Sequence, residues 1–573
     1  MKKLPVGLQS FRKIIEDEYV YVDKTSYIYD LINKANCYFL SRPRRFGKSL
    51  FLDTIGEAFG GDKELFKGQW IYDSDYDFIK HPVIHLDMNG IANETQEIFT
   101  ESLSAELKTL IDTENMQAAS GVPSDIFKNL IRNLHEKYAR RVVVLVDEYD
   151  KPILDHLDNT DTAEAIRRTL RGFYGVLKTL DKHLRFVFFT GVSKFTKTSV
   201  FSGLNNLMDI TMDKDYAGIC GISVEELDRY FSGHIAALSA SGLFDLSNDA
   251  HNRGGAVDNA NSKDSCNTSD YNVNKRNGSG RSGFNDYDAL RAKILEWYDG
   301  YTWDGKTRVI NPFSLLNFFQ QKRFYSFWYA SGSPHFLIEM MKKNPNLYTN
   351  IKNLEITELM LDSIAIDNMS PEPLLFQTGY LTVKDIEPSI FTDAYILRFP
   401  NYEVRQAFNL NVISALTESG NVYAERAQNE IRRALQDCDL LKMLNLLRGL
   451  FASIPYELHI DREAYYHSIF YAVMSVLGFN MEAEVSVSKG RIDAVLEHGA
   501  SVYVMEFKYA DCKPGTGDDE KRVIFDNFLE EGLSQIKKRG YHKKYAGTGK
   551  IVYRVAFAFL GRDEIEMKYE VVN

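Results

Sequence analysis

The sequence predicts a multidomain α/β protein, with a parallel sheet covered by helices first, a largely helical middle, and a smaller α/β domain last. Three observations carry this reading. Within residues 1–240, short apolar runs alternate with stretches of helical period. After Leu246 the composition turns abruptly polar, and a folded pattern resumes near residue 287. From residue 456 onward, strand-like runs are separated by charged turns.

The N-terminal strands are NCYFLS (36–41), PVIHLDM (82–88), RVVVLVD (141–147) and RFVFFTG (185–191). Continuous apolar runs of this length mark strands buried on both faces. Amphipathic stretches near 94–114 and 163–180 supply covering helices. Residues 247–286 are dominated by Asn, Ser, Gly and Asp. Such a segment buries too little apolar surface to offset its ordering entropy. A disordered insertion is expected there, with a polar recognition loop as the alternative. The domains are then 1–246, the insertion 247–286, a mixed helical domain 287–400, a helical linker 401–455, and a last domain 456–573 that opens with a helix over 462–477. No fixed-period repeat is present, which argues against a solenoid.

With 44% hydrophobic and 26% charged residues the chain is globular, and a net charge of −11 excludes a wholesale coat for polyanions. Any nucleic-acid contact must come from a local basic patch. No apolar run approaches the roughly 18 residues of a spanning helix, so no membrane partner is expected. The N-terminal residues hold no apolar signal core, and five scattered cysteines form no CxxC pair. Both features point to a reducing, cytoplasmic setting.

The first strand leads into Ser41-Arg42-Pro43-Arg44-Arg45-Phe46-Gly47-Lys48-Ser49-Leu50. Strand, loop, GKS and helix in this order make a phosphate-binding loop. Backbone N–H groups around Arg44, Arg45, Phe46, Gly47 and Leu50 would cradle the phosphates. Lys48 would reach the β and γ oxygens, and Ser49 would hold Mg²⁺. The first glycine of the full GxxxxGK[ST] pattern is Arg42 here. The run ending in Asp147-Glu148 supplies the second element. Asp147 would face the metal, and Glu148 would orient or deprotonate a water. Thr190 or Ser193, at the next strand's tip, would sense the γ-phosphate or merely cap the strand. ATP and Mg²⁺ are the cofactors expected.

The strings YVDKT (21–25), SRPRRFGKSL (41–50), LVDEYDKPI (145–153), TGVSKF (190–195), FSGLNNL (201–207), WYDGY (297–301), NPFSLL (311–316) and FQTGYLT (376–382) resemble the bacterial AAA-ATPase-like family. Its members commonly end in a PD-(D/E)XK nuclease-superfamily domain. The resemblance implies a divergent AAA-type ATPase core, a helical or winged-helix-like lid over 287–400, and a restriction-endonuclease-like α/β domain at the C-terminus. AAA-type enzymes often form rings, so a homo-oligomer is a further possibility.

The C-terminal motif is GRIDAVL (490–496) followed by VYVMEFK (502–508), which resembles the D…ExK core of that superfamily. Asp493 and Glu506 would bind one or two Mg²⁺, whose hard character suits oxygen ligands. Lys508, two residues past Glu506 and on the same strand face, would help activate water and stabilise developing charge. Glu463 or Glu484 would complete the metal shell, with Glu463 preferred. The resemblance also implies a role for Gln535 near the site. Lys537, Lys538 and Tyr541 open a basic run, interleaved with tyrosines and lacking acids, that extends to Arg554. It fits a nucleic-acid partner, with DNA the expected one. The function expected is an ATPase coupled to a metal-dependent nuclease. The alternative is an ATP-dependent switch whose nuclease fold is silent and only docks partners.

Overall fold

The computed structural model describes residues 1–244, 284–330, 354–452, 470 and 480–572, apart from short gaps, chiefly 195–199, 361–370, 418–425, 511–515 and 541–544. The chain forms two compact units: Met1–Ser232 with Ile294–Met340 and Asn346–Phe408, and Gly233–Lys293 with Met341–Pro345 and Asn409–Asn573.

In the first unit, β1 (Cys37–Ser41), β2 (Val83–Asp87), β3 (Val142–Asp147), β4 (Leu184–Gly191) and β5 (Met208–Asp209) form one sheet in the order β2-β3-β4-β1-β5. Every pair is parallel. The expected parallel sheet is therefore present, and β4 stands between β1 and β3. Parallel registers align the strand tips: Ser41 lies beside Gly191, and Asp87 beside Asp147. Ligands of open α/β sheets bind at this carboxyl edge.

One face buries Phe39, Val144, Val146 and Phe189 against the helices Gln96–Thr113, Pro123–Tyr138 and Thr160–Thr179. Thr95 and Asn159 cap two of these helices by accepting from the N–H groups of Ile98 and Thr162. The other face takes helix Lys48–Gly60, whose Gly56 approaches Leu145 closely.

The middle of the chain adds helix Pro312–Gln321 and a small antiparallel sheet. Its strands are β6 (Glu355–Thr357), β7 (Thr382–Glu387) and β8 (Ala394–Arg398), in the order β6-β8-β7. Gly300, at φ 124°, lets the chain pass Pro400, whose carbonyl oxygen would lie 2.1 Å from any Cβ. Glu403 is fully buried nearby, and its Oε1 accepts from Ser314 Oγ at 2.9 Å and Trp328 N at 2.8 Å. A helix covers Phe284–Tyr298, so the last three residues assigned to the polar insertion are helical backbone. Residues 247–283 of that insertion lie outside the described residues, as does the helix expected over 462–477. The linker contains helices Tyr402–Thr417 and Leu440–Ala452.

The second unit holds β9 (Asn480–Val487), β10 (Gly490–His498), β11 (Ser501–Ala510), β12 (Ile551–Leu560) and β13 (Glu564–Val572), in the order β13-β12-β11-β10-β9. All pairs are antiparallel except β11–β12. That parallel pair needs a crossover, which helix Asp518–Arg539 provides. Phe525, Leu529, Leu533 and Ile536 recur at helical spacing and are buried against the sheet. Gly532 brings helix and sheet together, since a Cβ there would sit 2.9 Å from Ala556 Cβ and 3.9 Å from Glu506 Cβ.

Gly532→Val should overpack this seam and destabilise the second unit by about 1–3 kcal/mol. Urea unfolding of the full chain, followed by circular dichroism, reads the loss, and an unchanged midpoint would contradict it. A second expectation concerns Glu403, whose carboxyl burial pushes up from 4.5 to about 8. The folded unit then keeps a proton that the unfolded chain has released. Its stability is full below about pH 4.5 and falls as pH rises through 8, by at most about 1.4 kcal/mol per pH unit. Glu403→Gln should flatten the melting temperature across that window, and an unaltered slope would refute the assignment.

Candidate nucleotide and nuclease sites

Between β1 and helix Lys48–Gly60, Arg45 at φ 72° and Gly47 at φ 89° bend the loop. Nothing lies within 4 Å of a Cβ at Gly47, so the backbone angle rather than space favours glycine there. The turn aims the helix N-terminus, with its uncompensated N–H groups, at the sheet's carboxyl edge. Ser49 and Leu50 follow in the first helical turn and are half-buried.

Lys48 is buried, and its Nζ donates to the carbonyls of Arg42 and Pro43 at 3.1 and 3.2 Å. Glu148 Oε1 lies 3.4 Å from the same nitrogen. Glu148 itself, just past the end of β3, is left-handed at φ 51°. Asp147, buried at the tip of β3, accepts from Thr190 Oγ1 and from the Glu148 N–H. Lys48, Glu148, Asp147 and Thr190 therefore meet at one edge of the sheet. A buried carboxylate, a nearby helix hydroxyl and a lysine form a donor set that fits a polyphosphate with a hard divalent cation.

The other loop residues do different things. Arg44 and Arg45 are exposed, and the Arg45 guanidinium lies 4.8 Å from the Phe313 ring centroid. The Phe46 ring is buried edge-on against Tyr301 and Trp303, so only its backbone is available to a phosphate.

The sequence reading missed Asp150. It is fully buried, and its carboxylate accepts from the N–H groups of Val192 and Ser193 and from Ser193 Oγ. Burial, reinforced by Glu148, pushes this carboxyl up to about 6. Gly191 permits the arrangement, because a Cβ there would strike the Tyr149 ring at 2.5 Å. Asp150 thus fixes the chain leaving β4. Its signal was the second aspartate of DEYD, which sequence alone cannot pair with GVS across the sheet.

In the second unit, the β10–β11 ladder pairs Ala494 with Met505, setting Asp493 beside Glu506. Asp493 Oδ2 accepts the Phe507 N–H at 2.9 Å, and Glu506 is buried. Lys508 Nζ donates to Gln535 Oε1 at 2.9 Å and lies 3.5 Å from Glu531 and 3.9 Å from Glu506. Asp493, Glu506, Lys508 and Gln535 are thus brought together from three elements. Two carboxylates on paired strands are hard oxygen donors of the kind a divalent metal takes, although Lys508 already lies beside one of them. Glu531, one helical turn before Gln535, was not anticipated.

The β9–β10 register sets Glu484 opposite Asp493. Glu463 and Tyr541 lie outside the described residues. Among the described residues no cluster of three His, Cys, Asp or Glu side chains has metal-binding geometry. The basic run is not free of acids in space: Lys537 and Arg554 pair with Glu570, and Lys550 with Glu497. Lys538 is exposed. No helix among the described residues is long and apolar enough to cross a membrane.

Fold and sites define a chain that joins an AAA-like module to a nuclease-like module. Residues 5–201 match the AAA-ATPase-like family, described as predicted AAA-ATPases, and residues 461–568 match the PD-(D/E)XK nuclease superfamily. An uncharacterized protein in the vnfD 5' region of Azotobacter chroococcum mcd 1 is 34% identical over 567 residues, covering 97% of this chain and 96% of that protein. The chain belongs to this family of predicted AAA-ATPases with a C-terminal PD-(D/E)XK nuclease-superfamily domain.

Proposed function

We propose that the protein hydrolyses ATP in its first unit and cleaves phosphodiester bonds of a nucleic acid, with DNA the expected substrate, in its second. The observation that carries the reading is the meeting of Asp493, Glu506, Lys508 and Gln535, because a silent fold has no need to hold a lysine between two carboxylates and an amide. In the first unit, the helix N-terminus and Lys48 bind the phosphates. Glu148 takes a proton from, or orients, the attacking water, and Thr190 steadies Asp147. In the second, Asp493 and Glu506 would hold the divalent cation, which supplies Lewis acidity when bound. Lys508, oriented by Gln535, stabilises charge that develops on the phosphate oxygens. Nucleotide state gates cleavage in this reading. Cys37 and Cys220 are buried free thiols, in keeping with a reducing cytoplasm.

A second reading, a switch with a silent nuclease fold, draws support from the acids that neutralise Lys537, Lys550 and Arg554. Supercoiled plasmid with Mg²⁺, with and without ATP, separates the two. The wild-type chain should nick or linearise it. Glu506→Ala should abolish cleavage while ATP hydrolysis continues. Lys508→Ala should retain Mn²⁺ binding by calorimetry and lose at least about 100-fold in rate, as expected for a transition-state role. Lys48→Ala should lose ATP binding, and Glu148→Gln should bind ATP without turning it over. Nucleic-acid binding without cleavage under all these conditions would favour the silent fold.

A further inference from the structure

Arg42 stands where a phosphate loop ordinarily has its first glycine, and its side chain turns inward. It is completely buried. Nη1 donates to the carbonyls of Ser41 and Thr211 at 2.9 and 2.8 Å, and Nη2 to that of Tyr216 at 3.2 Å. The guanidinium carbon lies 3.9 Å from the Trp303 ring centroid. Nε is buried without a hydrogen-bond partner, and the guanidinium's hydrogen bonds among the described residues all go to backbone carbonyls. A cation in this position, held directly by carbonyl dipoles and an indole face and only at longer range by Asp209 and Asp304, is expensive to maintain. Burial pulls its pKa down to about 10.

The same surface supports the loop at other points. Phe46 packs edge-on against Tyr301 and Trp303, with centroids 4.7 and 5.6 Å away. A Cβ at Gly379 would sit 2.7 Å from Pro43, so that segment presses on the loop from another side. The Tyr301–Trp303 turn is fixed in its own right: Thr302 N donates to Thr382 Oγ1, which donates back to the Thr302 carbonyl, both at 2.7 Å.

We infer that Arg42 and Trp303 are positioning residues for the phosphate loop. They replace the tight turn that glycine would supply by an external clamp, and the turn at 301–303 sets the loop's conformation. Neither side chain touches the nucleotide. The inference rests on the proposed ATP site, but its first test does not need ATP.

Amide hydrogen exchange of the full-length, nucleotide-free protein should show Arg42–Ser49 exchanging at least about tenfold faster in Trp303→Leu, with the β3 amides unchanged. Trp303→Phe keeps an aromatic face and should restore most of the protection. Equal protection in wild type and Trp303→Leu overturns the inference. If Trp303→Leu does not fold, Arg42→Lys, which keeps the charge but loses the fork, should show the same local acceleration, and its absence is equally decisive. ATP titration follows. Trp303→Leu should raise KM about tenfold or more with a smaller change in kcat, and Trp303→Phe should recover it. Unchanged KM in a wild type that binds ATP refutes the clamp. A wild type that binds no ATP yet shows the exchange effect refutes the ATP site and leaves the clamp standing.

Discussion

A carboxylate taken out of water must be met by donors or cations, and both units are arranged around that demand. Asp147 and Asp150 are buried at the tip of β3 and just beyond it. The first is met by Thr190 and a backbone amide, the second by the amides and hydroxyl where the chain leaves β4. These contacts tie the tip of β3 to the end of β4. In the second unit Glu506 lies at the centre of the sheet, and the crossover helix comes close enough, at Gly532, for Gln535 and Glu531 to reach Lys508. The first unit thus places charge by contacts between strand ends, and the second by the closeness of helix to sheet.

Much of the fold was legible because β1, β3 and β4 are buried along nearly their whole length and so read as apolar runs, whereas β2, at the sheet's edge, exposes His85 and Asp87. β1 to β3 fall within the runs the sequence marks, and β4 begins one residue before its run, at Leu184. The helix Pro123–Tyr138 is not among the stretches marked from the sequence, although Pro123 opens its first turn and Ile126, Phe127, Leu130, Ile131 and Leu134 recur at helical spacing. β5 left no signal, for it is a two-residue pairing, Met208 and Asp209, against β1. The small sheet β6-β8-β7 joins segments far apart in the chain, and short strands of mixed polarity cannot announce such partners.

Legibility of the sites followed the same line. Motifs confined to one strand and its turn could be read: GKS, the aliphatic run ending in Asp-Glu, and ExK. What a second element adds was legible only in part: Thr190 and Gln535 were expected at the sites, and three further contributions were not. Asp150 acquires its meaning from the amides of Val192 and Ser193, Glu531 from Lys508, and Arg42 from Trp303. The run from Lys537 to Arg554 is of one sign in sequence, yet β10 and β13 bring Glu497 and Glu570 against it. Local composition overstated its free charge.

The clamp on the phosphate loop also bears on how the protein is made. Trp303, Phe313 and Gly379, which lean on Arg42, Arg45 and Pro43, all emerge from the ribosome long after β1. At roughly 5–20 residues per second, the nascent loop waits on the order of ten seconds or more for its brace. During that interval the β1–β4 sheet and the carbonyls of Thr211 and Tyr216 are already available to Arg42, while the Trp303 face that covers its guanidinium is not. The inferred clamp thereby defers the final shape of the loop until the later segments have been translated, and a truncated product would carry the motif without Trp303 to brace it.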